Sequence, residues 1–477
     1  MGARSGARRL ADFGRALRMG RRELVATGGL APEELRGLQQ QRLDELVQYA
    51  VGRSPFYREL YRGVDTERVD LSTLPPVSKA QLMDRFDHWV TDRRLRLTDV
   101  ERHIEGLAGD ELHLGQYRVV ATSGSTGHRG VFVYSRPEWV VNLANFDRAT
   151  EQFLGVHPRL PPRLRAALVG ATNPLHVSAR TSITAAVGVN RVLRLDARLP
   201  LLELATALQR FQPEYLIGYP SVLALLADEQ RAGRLHLRPT TVTTMAEVRT
   251  PEMEEAIRTA WSVEPFNWYG ISEGGVLAVD CNHHRGMHLF EDLFLVENVD
   301  EDGHPVPDGV VGHTLLLTNL FNRTQPTIRY QLSDMLTLDS APCPCGRPFR
   351  RVTSIQGRSD DILRLPARAG GEVAIHPFTL RSPFTRLPDV RQYKVVYDLD
   401  GVRVLVVPRE GGSGEGLADR VHDALATTLA GAGARPPAIR VEVVETLARE
   451  QGHAGKFKLI ESRPGSTVLA PDASRGP

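Results

Sequence analysis

Residues 122–130 read Thr-Ser-Gly-Ser-Thr-Gly-His-Arg-Gly. Three glycines and four hydroxyl side chains crowd these nine positions, with no proline or carboxylate among them. Glycine admits backbone conformations that turn successive N–H groups toward one anion; hydroxyls add donors and Arg129 adds charge. Thr122, Ser123, Gly124, Ser125, Thr126, Gly127 and Arg129 together suit a triphosphate. The plainer alternative is a surface turn, where the same residue types gather. No Gly-Lys-Ser/Thr follows, so this is not a Walker A loop. Val119-Val120-Ala121 before it and Val131-Phe132-Val133-Tyr134 after it predict two strands, with the loop as a hairpin connection.

A second group carries metal chemistry. Cys343-Pro344-Cys345-Gly346 forms a knuckle-like turn, and Cys281 lies upstream with His283, His284 and His288 close behind. Three thiolates and one imidazole make a closed tetrahedral zinc site of the structural kind. His284 gives a Cys-x2-His spacing and His288 is the other candidate. The alternative is three reduced, buried cysteines beside solvated histidines.

The elements that must position these groups are legible in outline. Leu35, Leu38, Leu43, Leu46, Val47 and Ala50 recur at helical spacing within 32–62, broken at Ser54-Pro55. Ser78 can cap a helix starting near Lys79. From 136 to 280 helical and strand-like segments alternate, which predicts a layered α/β domain. Residues 286–340 favour strands and turns. Beyond 357 the chain reads as a small α+β domain, with strands at 393–397, 402–407 and 440–444 and a helix over 417–430. The expected organisation is therefore a leader over 1–34, a large domain over 35–356 and a small one over 357–477, disordered from about 463.

Composition narrows the class. The 477 residues are 42% hydrophobic and 24% charged, and 59 basic against 57 acidic residues leave +2. That balance excludes the electrostatics of a nucleic-acid binder. No run approaches the ~18 apolar residues needed to span a bilayer. Three cysteines exclude a disulfide framework and point to a reducing, cytoplasmic setting. Arg4, Arg8, Arg9, Arg15, Arg18, Arg21 and Arg22 make the leader basic, and it reads as a solvated, partly helical segment.

Thr122–Gly127 also resembles the phosphate loop of the adenylate-forming superfamily of acyl-CoA synthetases, peptide-synthetase adenylation domains and luciferase. Further motifs follow in order. Tyr269-Gly270-Ile271-Ser272-Glu273 resembles the adenine and magnesium motif, and 328–334 (Ile-Arg-Tyr-Gln-Leu-Ser-Asp) the ribose motif. Gly357-Arg358-Ser359-Asp360-Asp361 resembles the domain hinge, and Gly455-Lys456 the catalytic-lysine motif. Within the superfamily the chain is similar to the phenylacetate–CoA ligase group. The residues that carry this are 54–58 (Ser-Pro-Phe-Tyr-Arg), 74–79 (Leu-Pro-Pro-Val-Ser-Lys), Thr318-Asn319-Leu320, 326–330 (Pro-Thr-Ile-Arg-Tyr) and Cys345-Gly346-Arg347.

The resemblance implies that ATP activates a small carboxylic acid, an aromatic one by analogy with the group, to an acyl-adenylate, which then passes to coenzyme A. Glu273 would bind Mg²⁺, Tyr269 would stack on adenine beside Gly270 and Ser272, and Asp334 would hold the ribose hydroxyls. Arg358 would reach ribose or phosphate, Asp360 would be the hinge pivot, and Lys456, with Lys458 as alternative, would steady the transition state. The acyl pocket is expected near His176 and Tyr219. Zinc is implied in part of the group, and Gly286-Met287-His288 resembles its Gly-Leu-His signature. A homodimer is left open. Two departures stand out: His128 replaces proline, and Arg364–Gly371 with Ile375–Phe378 lacks the expected acidic residue after its proline. The second leaves another acceptor, such as an amine or carrier protein, as the competing reading of the transfer step. A non-catalytic relative is a weaker alternative, because Glu273, Asp334, Arg358 and Lys456 are all present.

Overall fold

A computed structural model describes residues 3–122, 129–154, 164–186, 191–387, 389–398, 400–409, 415–447 and 456–462. The chain forms two compact units. The first comprises Met1–Leu332, Leu336–Ser354 and Glu450–Lys456; the second comprises Ser333–Met335, Ile355–Arg449 and Phe457–Pro477.

The first unit is built on a mixed sheet. Its parallel part comprises β3 (Arg165–Gly170), β4 (Arg191–Asp196), β5 (Tyr215–Gly218), β6 (Thr241–Met245) and β7 (Phe266–Ile271), in the order β4-β3-β5-β6-β7. Every residue of β5 and β6 is buried, as expected for parallel strands covered on both faces. The crossovers are helices Val177–Ala185, Leu201–Phe211, Pro220–Arg231 and Pro251–Trp261. Leu204, Leu208, Leu223, Leu226 and Ile257 pack from them onto the sheet in one apolar cluster. Beyond β7 the sheet turns antiparallel through β8 (Gly275–Asp280), β9 (Met287–Leu289) and the start of β10 (Arg351–Arg358), where Arg351 and Val352 pair with β9. The alternation in the sequence thus marks an α/β layer, as expected.

The glycine-rich segment joins β1 (Tyr117–Ala121) to β2 (Val131–Ser135), which pair antiparallel with Ala121 opposite Val131. The hairpin's other edge is met by side chains. Gln325 accepts from Val133 N at 2.7 Å and donates to Val131 O at 3.0 Å, and Asn322 donates to Val133 O at 3.2 Å. Carboxamides replace a third strand here and satisfy backbone groups that burial would otherwise leave unpaired.

The second unit holds a hairpin, Leu363–Pro366 with Glu372–Ile375, and a four-stranded sheet covered by helix Leu417–Gly431. That helix buries Leu417, Val421, Leu425 and Leu429, one residue in four along a single stripe. The α+β reading of the tail holds. The unusual segment after the hinge forms the hairpin's turn, where Gly370 and Gly371 take φ of +94° and +72°. Residues 463–477, expected to lack structure, lie outside the described residues.

The leader departs from expectation. Helix α1 (Ala3–Met19) is packed on the first unit rather than solvated. Asp12 is 0% exposed, with Arg118 Nη2 at 3.2 Å and Arg136 Nη2 at 2.9 Å. Arg8 donates to the Asp110 carbonyl at 2.8 Å. Arg8 and Arg9 thus meet oxygens of Asp110 and Ile183, more than a hundred positions away, which a local charge pattern cannot reveal.

Candidate active site and metal centre

The loop that opens the site is closed at its neck by two hydrogen bonds. Thr122 N donates to Gly130 O, and Gly130 N donates to Thr122 Oγ1, both at 2.9 Å. Gly130 is needed there: a Cβ would come within 3.1 Å of the Phe132 ring and 3.4 Å of the Lys79 stem. Thr122 therefore closes the loop as well as lying in it. Ser123, Gly124, Ser125, Thr126 and Gly127 fall outside the described residues. Arg129 is described and solvent-facing, and its charge reaches His176.

His176 is fixed by a short turn. Asn173 Oδ1 accepts from Leu175 N at 2.9 Å, and Asn173 O accepts from His176 N at 3.0 Å. Leu175 O in turn accepts from Ala121 N at 2.9 Å, tying this turn to the start of the glycine-rich loop. Tyr219 is 1% exposed, and its hydroxyl accepts from Ala171 N at 3.0 Å. Both side chains line a cavity of about 210 Å³ in the first unit. Its walls are mainly apolar, with Phe146, Leu168, Ile217, Met245, Trp268 and Phe13 among them. Lys456, remote in sequence, lines the same cavity. Burial, then the Lys456 charge, then those of Arg129 and Arg198 hold the His176 imidazole down at about 4, so it is neutral at pH 7.

The segment 269–273 leaves β7 and turns into β8 beside this cavity, with Gly270 and Ser272 in its lining. The Tyr134 hydroxyl of β2 donates to Ser272 O at 2.7 Å, so the hairpin and the turn are braced together. Tyr269 and Glu273 are 8% and 4% exposed. Asn319 Nδ2 donates to Glu273 O at 2.8 Å. The two glycines that follow permit this approach: a Cβ on Gly274 would strike the Phe294 ring, and one on Gly275 the Asn142 carboxamide. A buried carboxylate on so constrained a turn is a donor suited to a hard divalent cation.

The second unit carries the other expected polar residues. Arg358 Nε stands 3.6 Å from Asp334 Oδ1, and Ser359 N donates to Ser333 O at 2.7 Å. Asp360 is exposed in the one-turn helix Ser359–Asp361. Lys458 Nζ is 2.6 Å from Asp361 Oδ1. That bond engages Lys458 within its own unit, whereas Lys456 faces the cavity of the first.

Cys281, His288, Cys343 and Cys345 converge in the first unit, with their four ligand atoms all within 4.8 Å of one another. Cys281 Sγ and Cys343 Sγ are 3.7 Å apart, and Cys345 Sγ and His288 Nε2 are 3.2 Å apart. Tetrahedral zinc with bonds of about 2.3 Å to sulfur puts two sulfurs about 3.8 Å apart. His288 Nδ1 lies 3.0 Å from the Phe349 carbonyl; that bond leaves the Nε2 lone pair for a metal. His284 is excluded from the cluster. Its ring lies against Phe266, centroids 4.7 Å apart, in a backbone turn with φ +48°.

No protein-family model matches the chain. A phenylacetate–coenzyme A ligase of Thermus thermophilus is 31% identical over 385 residues, 78% of this chain and 80% of that one. The chain belongs to the phenylacetate–coenzyme A ligase family. A second member, from Aromatoleum evansii, is 27% identical over 91% of this chain and 95% of its own length. Among solved structures, a 2-hydroxyisobutyryl-CoA ligase in its postadenylation state matches with a TM-score of 0.68 and 19% identity, over 91% of this chain and 90% of that one. That likeness gives the fold. The phenylacetate–CoA ligase family is one of adenylate-forming ligases, and the ordered motifs carry the same assignment.

For this phenylacetate–CoA ligase relative, motif reading named Asn319 within a group signature without its role in holding the Glu273 turn, and gave no role to Tyr134, which braces that turn, or to Phe13, which lines the cavity. None of these roles has a local signature, because each acts across a long sequence separation. The charge environment of His176 yields a measurable outcome. In an NMR pH titration, assigned by loss of the signal in His176→Gln, its ring should stay neutral down to about pH 5. An inflection near 6.5 would mean that neither burial nor the surrounding cations act on it.

Proposed function

We propose that this ligase activates a one-ring aromatic acid with ATP and passes the acyl group to coenzyme A. In the first step a carboxylate oxygen attacks the α-phosphorus, the bond to the β-phosphate oxygen breaks, and pyrophosphate leaves. In the second the coenzyme A sulfur, its proton lost to solvent, attacks the acyl carbon, the bond from that carbon to the bridging anhydride oxygen breaks, and AMP leaves with that oxygen. The observation that carries this reading is the meeting of His176 and Lys456 in one apolar cavity beside the turn at Gly270–Ser272. An apolar chamber takes the acyl body, a neutral imidazole can hydrogen-bond its carboxylate, and an ammonium steadies the charge that builds on phosphate. The size favours a single ring: a cavity of about 150 Å³ admits benzene, and about 210 Å³ leaves room for a short carboxylate arm.

The remaining roles rest on motif position. Ser123, Gly124, Ser125, Thr126, Gly127 and Arg129 are assigned to the β- and γ-phosphates, Tyr269 to adenine, Asp334 and Arg358 to ribose, and Asp360 to the hinge. Glu273 is the proposed Mg²⁺ ligand, where the ion would offset phosphate charge. Cys281, His288, Cys343 and Cys345 are proposed to hold structural zinc. No described helix is long and apolar enough to cross a membrane; three free thiols fit a reducing cytoplasm.

Pyrophosphate release over a panel of acids tests the first step. Phenylacetate and its ring-substituted relatives should head the ranking, and coenzyme A should convert the adenylate to a thioester. Release without thioester would move the acceptor to another nucleophile, and no acid-dependent release would end the proposal.

A further inference from the structure

Helix α1 contributes Phe13 to the lining of the proposed acyl cavity, and its attachment fixes where that side chain stands. Arg9, Asp12, Phe13, Ala16 and Gly20 recur at three- and four-residue spacing and so share one face. Asp12 is the anchor: its two oxygens meet Arg136, Arg118 and Arg15 at 2.9–3.2 Å. Arg118 is itself fully buried and is held by Asp110 at 2.8 Å. One turn earlier, Arg9 donates to the Ile183 carbonyl at 3.2 Å, on the crossover helix that also lines the cavity. Just beyond the helix Gly20 opens the next helical turn and lies flush against helix Arg136–Leu154, where a Cβ would come within 3.1 Å of Ala144 O. A helix held at Arg9 and Asp12, with the chain beyond it flush against a neighbour, cannot roll or slide without stranding buried charge. Phe13 follows the clamping carboxylate directly, and its ring lines the cavity with Phe146, Leu164 and Val192.

We infer that Phe13 is a specificity-determining residue, and that the clamped N-terminal helix limits the size of acid this enzyme accepts. The inference rests on the acid-activation reading above. An aromatic ring on a fixed backbone makes a hard wall, and a cavity discriminates size through what its walls exclude. Shortening that side chain extends the chamber toward α1, and enlarging it shortens the chamber.

The test compares full-length wild type, Phe13→Leu, Phe13→Ala, Phe13→Trp and Leu10→Ala. Leu10 is on the same helix but 55% exposed, so its variant is the control. Pyrophosphate release is measured with a graded series from benzoate and phenylacetate to phenylpropionate and naphthylacetate. The ratio of kcat/KM for the largest to the smallest acid should rise about tenfold or more in Phe13→Ala, by analogy with the ~10–200-fold worth of one methylene. It should rise less in Phe13→Leu, fall in Phe13→Trp and hold in Leu10→Ala, with KM for ATP within about twofold throughout. An unchanged acid ranking in Phe13→Leu and Phe13→Trp overturns the inference. So does a uniform loss across all acids with ATP affinity falling alongside, since a merely structural ring would give that. A wild-type protein that activates no acid overturns the acid-activation reading first, and the wall with it.

Discussion

Lys456→Ala should release pyrophosphate about 10²–10³-fold more slowly than wild type, the usual loss on removing a preorganised group that meets transition-state charge. The effect should fall on kcat for adenylation, with KM for the acid little changed, because the apolar walls that bind the acyl body stay in place. Lys456→Arg should restore only part of the rate: its guanidinium is larger, planar and differently aimed. Lys458→Ala is the discriminating partner. Its ammonium is bound at 2.6 Å to Asp361 in the second unit, so its loss should disturb that turn more than the chemical step. A second readout ties the rate to the cavity. The Lys456 charge is one of the causes holding His176 down at about 4, so Lys456→Ala should move the His176 titration upward. Burial, the larger cause, should still hold it below its ordinary value. Full adenylation in Lys456→Ala, or an unmoved His176, would remove Lys456 from the site.

How much of this was legible beforehand depended on whether the cause was local. The parallel layer announced itself because each crossover helix and buried strand carries its own period, as in Leu201–Phe211 followed by Tyr215–Gly218. Motif order identified the superfamily without any contact being known. The packing of the leader is not legible in its own residues, because Asp12 pairs with Arg118 and Arg8 with Asp110 across the chain, and a run of arginines looks the same whether or not such partners exist. The cavity lined by His176 and Tyr219 also takes Phe13, and a lone aromatic on a basic helix has no sequence mark of that destination. The two histidine candidates for the metal differed by four positions. What separates them is strand register: β9 sets His288 opposite Arg351, just after the Cys343–Cys345 turn, while His284 sits in the preceding turn against Phe266.

The purified protein should carry about one zinc per chain, and losing it should cost more stability than any single surface change. The four residues come from three separate stretches: the turn after β8, strand β9 and the segment leading into β10. A bound ion would therefore close long chain loops, and its binding free energy would add to that of folding. Three thiols packed this closely without a metal gain nothing comparable, since the 3.7 Å between Cys281 and Cys343 is no disulfide and sulfur makes only weak hydrogen bonds. Cys343→Ser should lower the zinc content sharply and the melting temperature by about 5–10 °C, corresponding to a loss of a few kcal/mol. His288→Gln should act similarly, and His284→Gln should leave the zinc content unchanged, because that ring points to Phe266. A strong chelator should reproduce the Cys343→Ser melting temperature in wild type and have no further effect on the variant. Adenylation should survive at ordinary temperature in chelated protein that remains folded, because none of the four residues lines the cavity shared by His176 and Lys456. Metal-free protein from zinc-replete cells, melting at the same temperature with and without chelator, would show that the cluster is only a set of buried thiols.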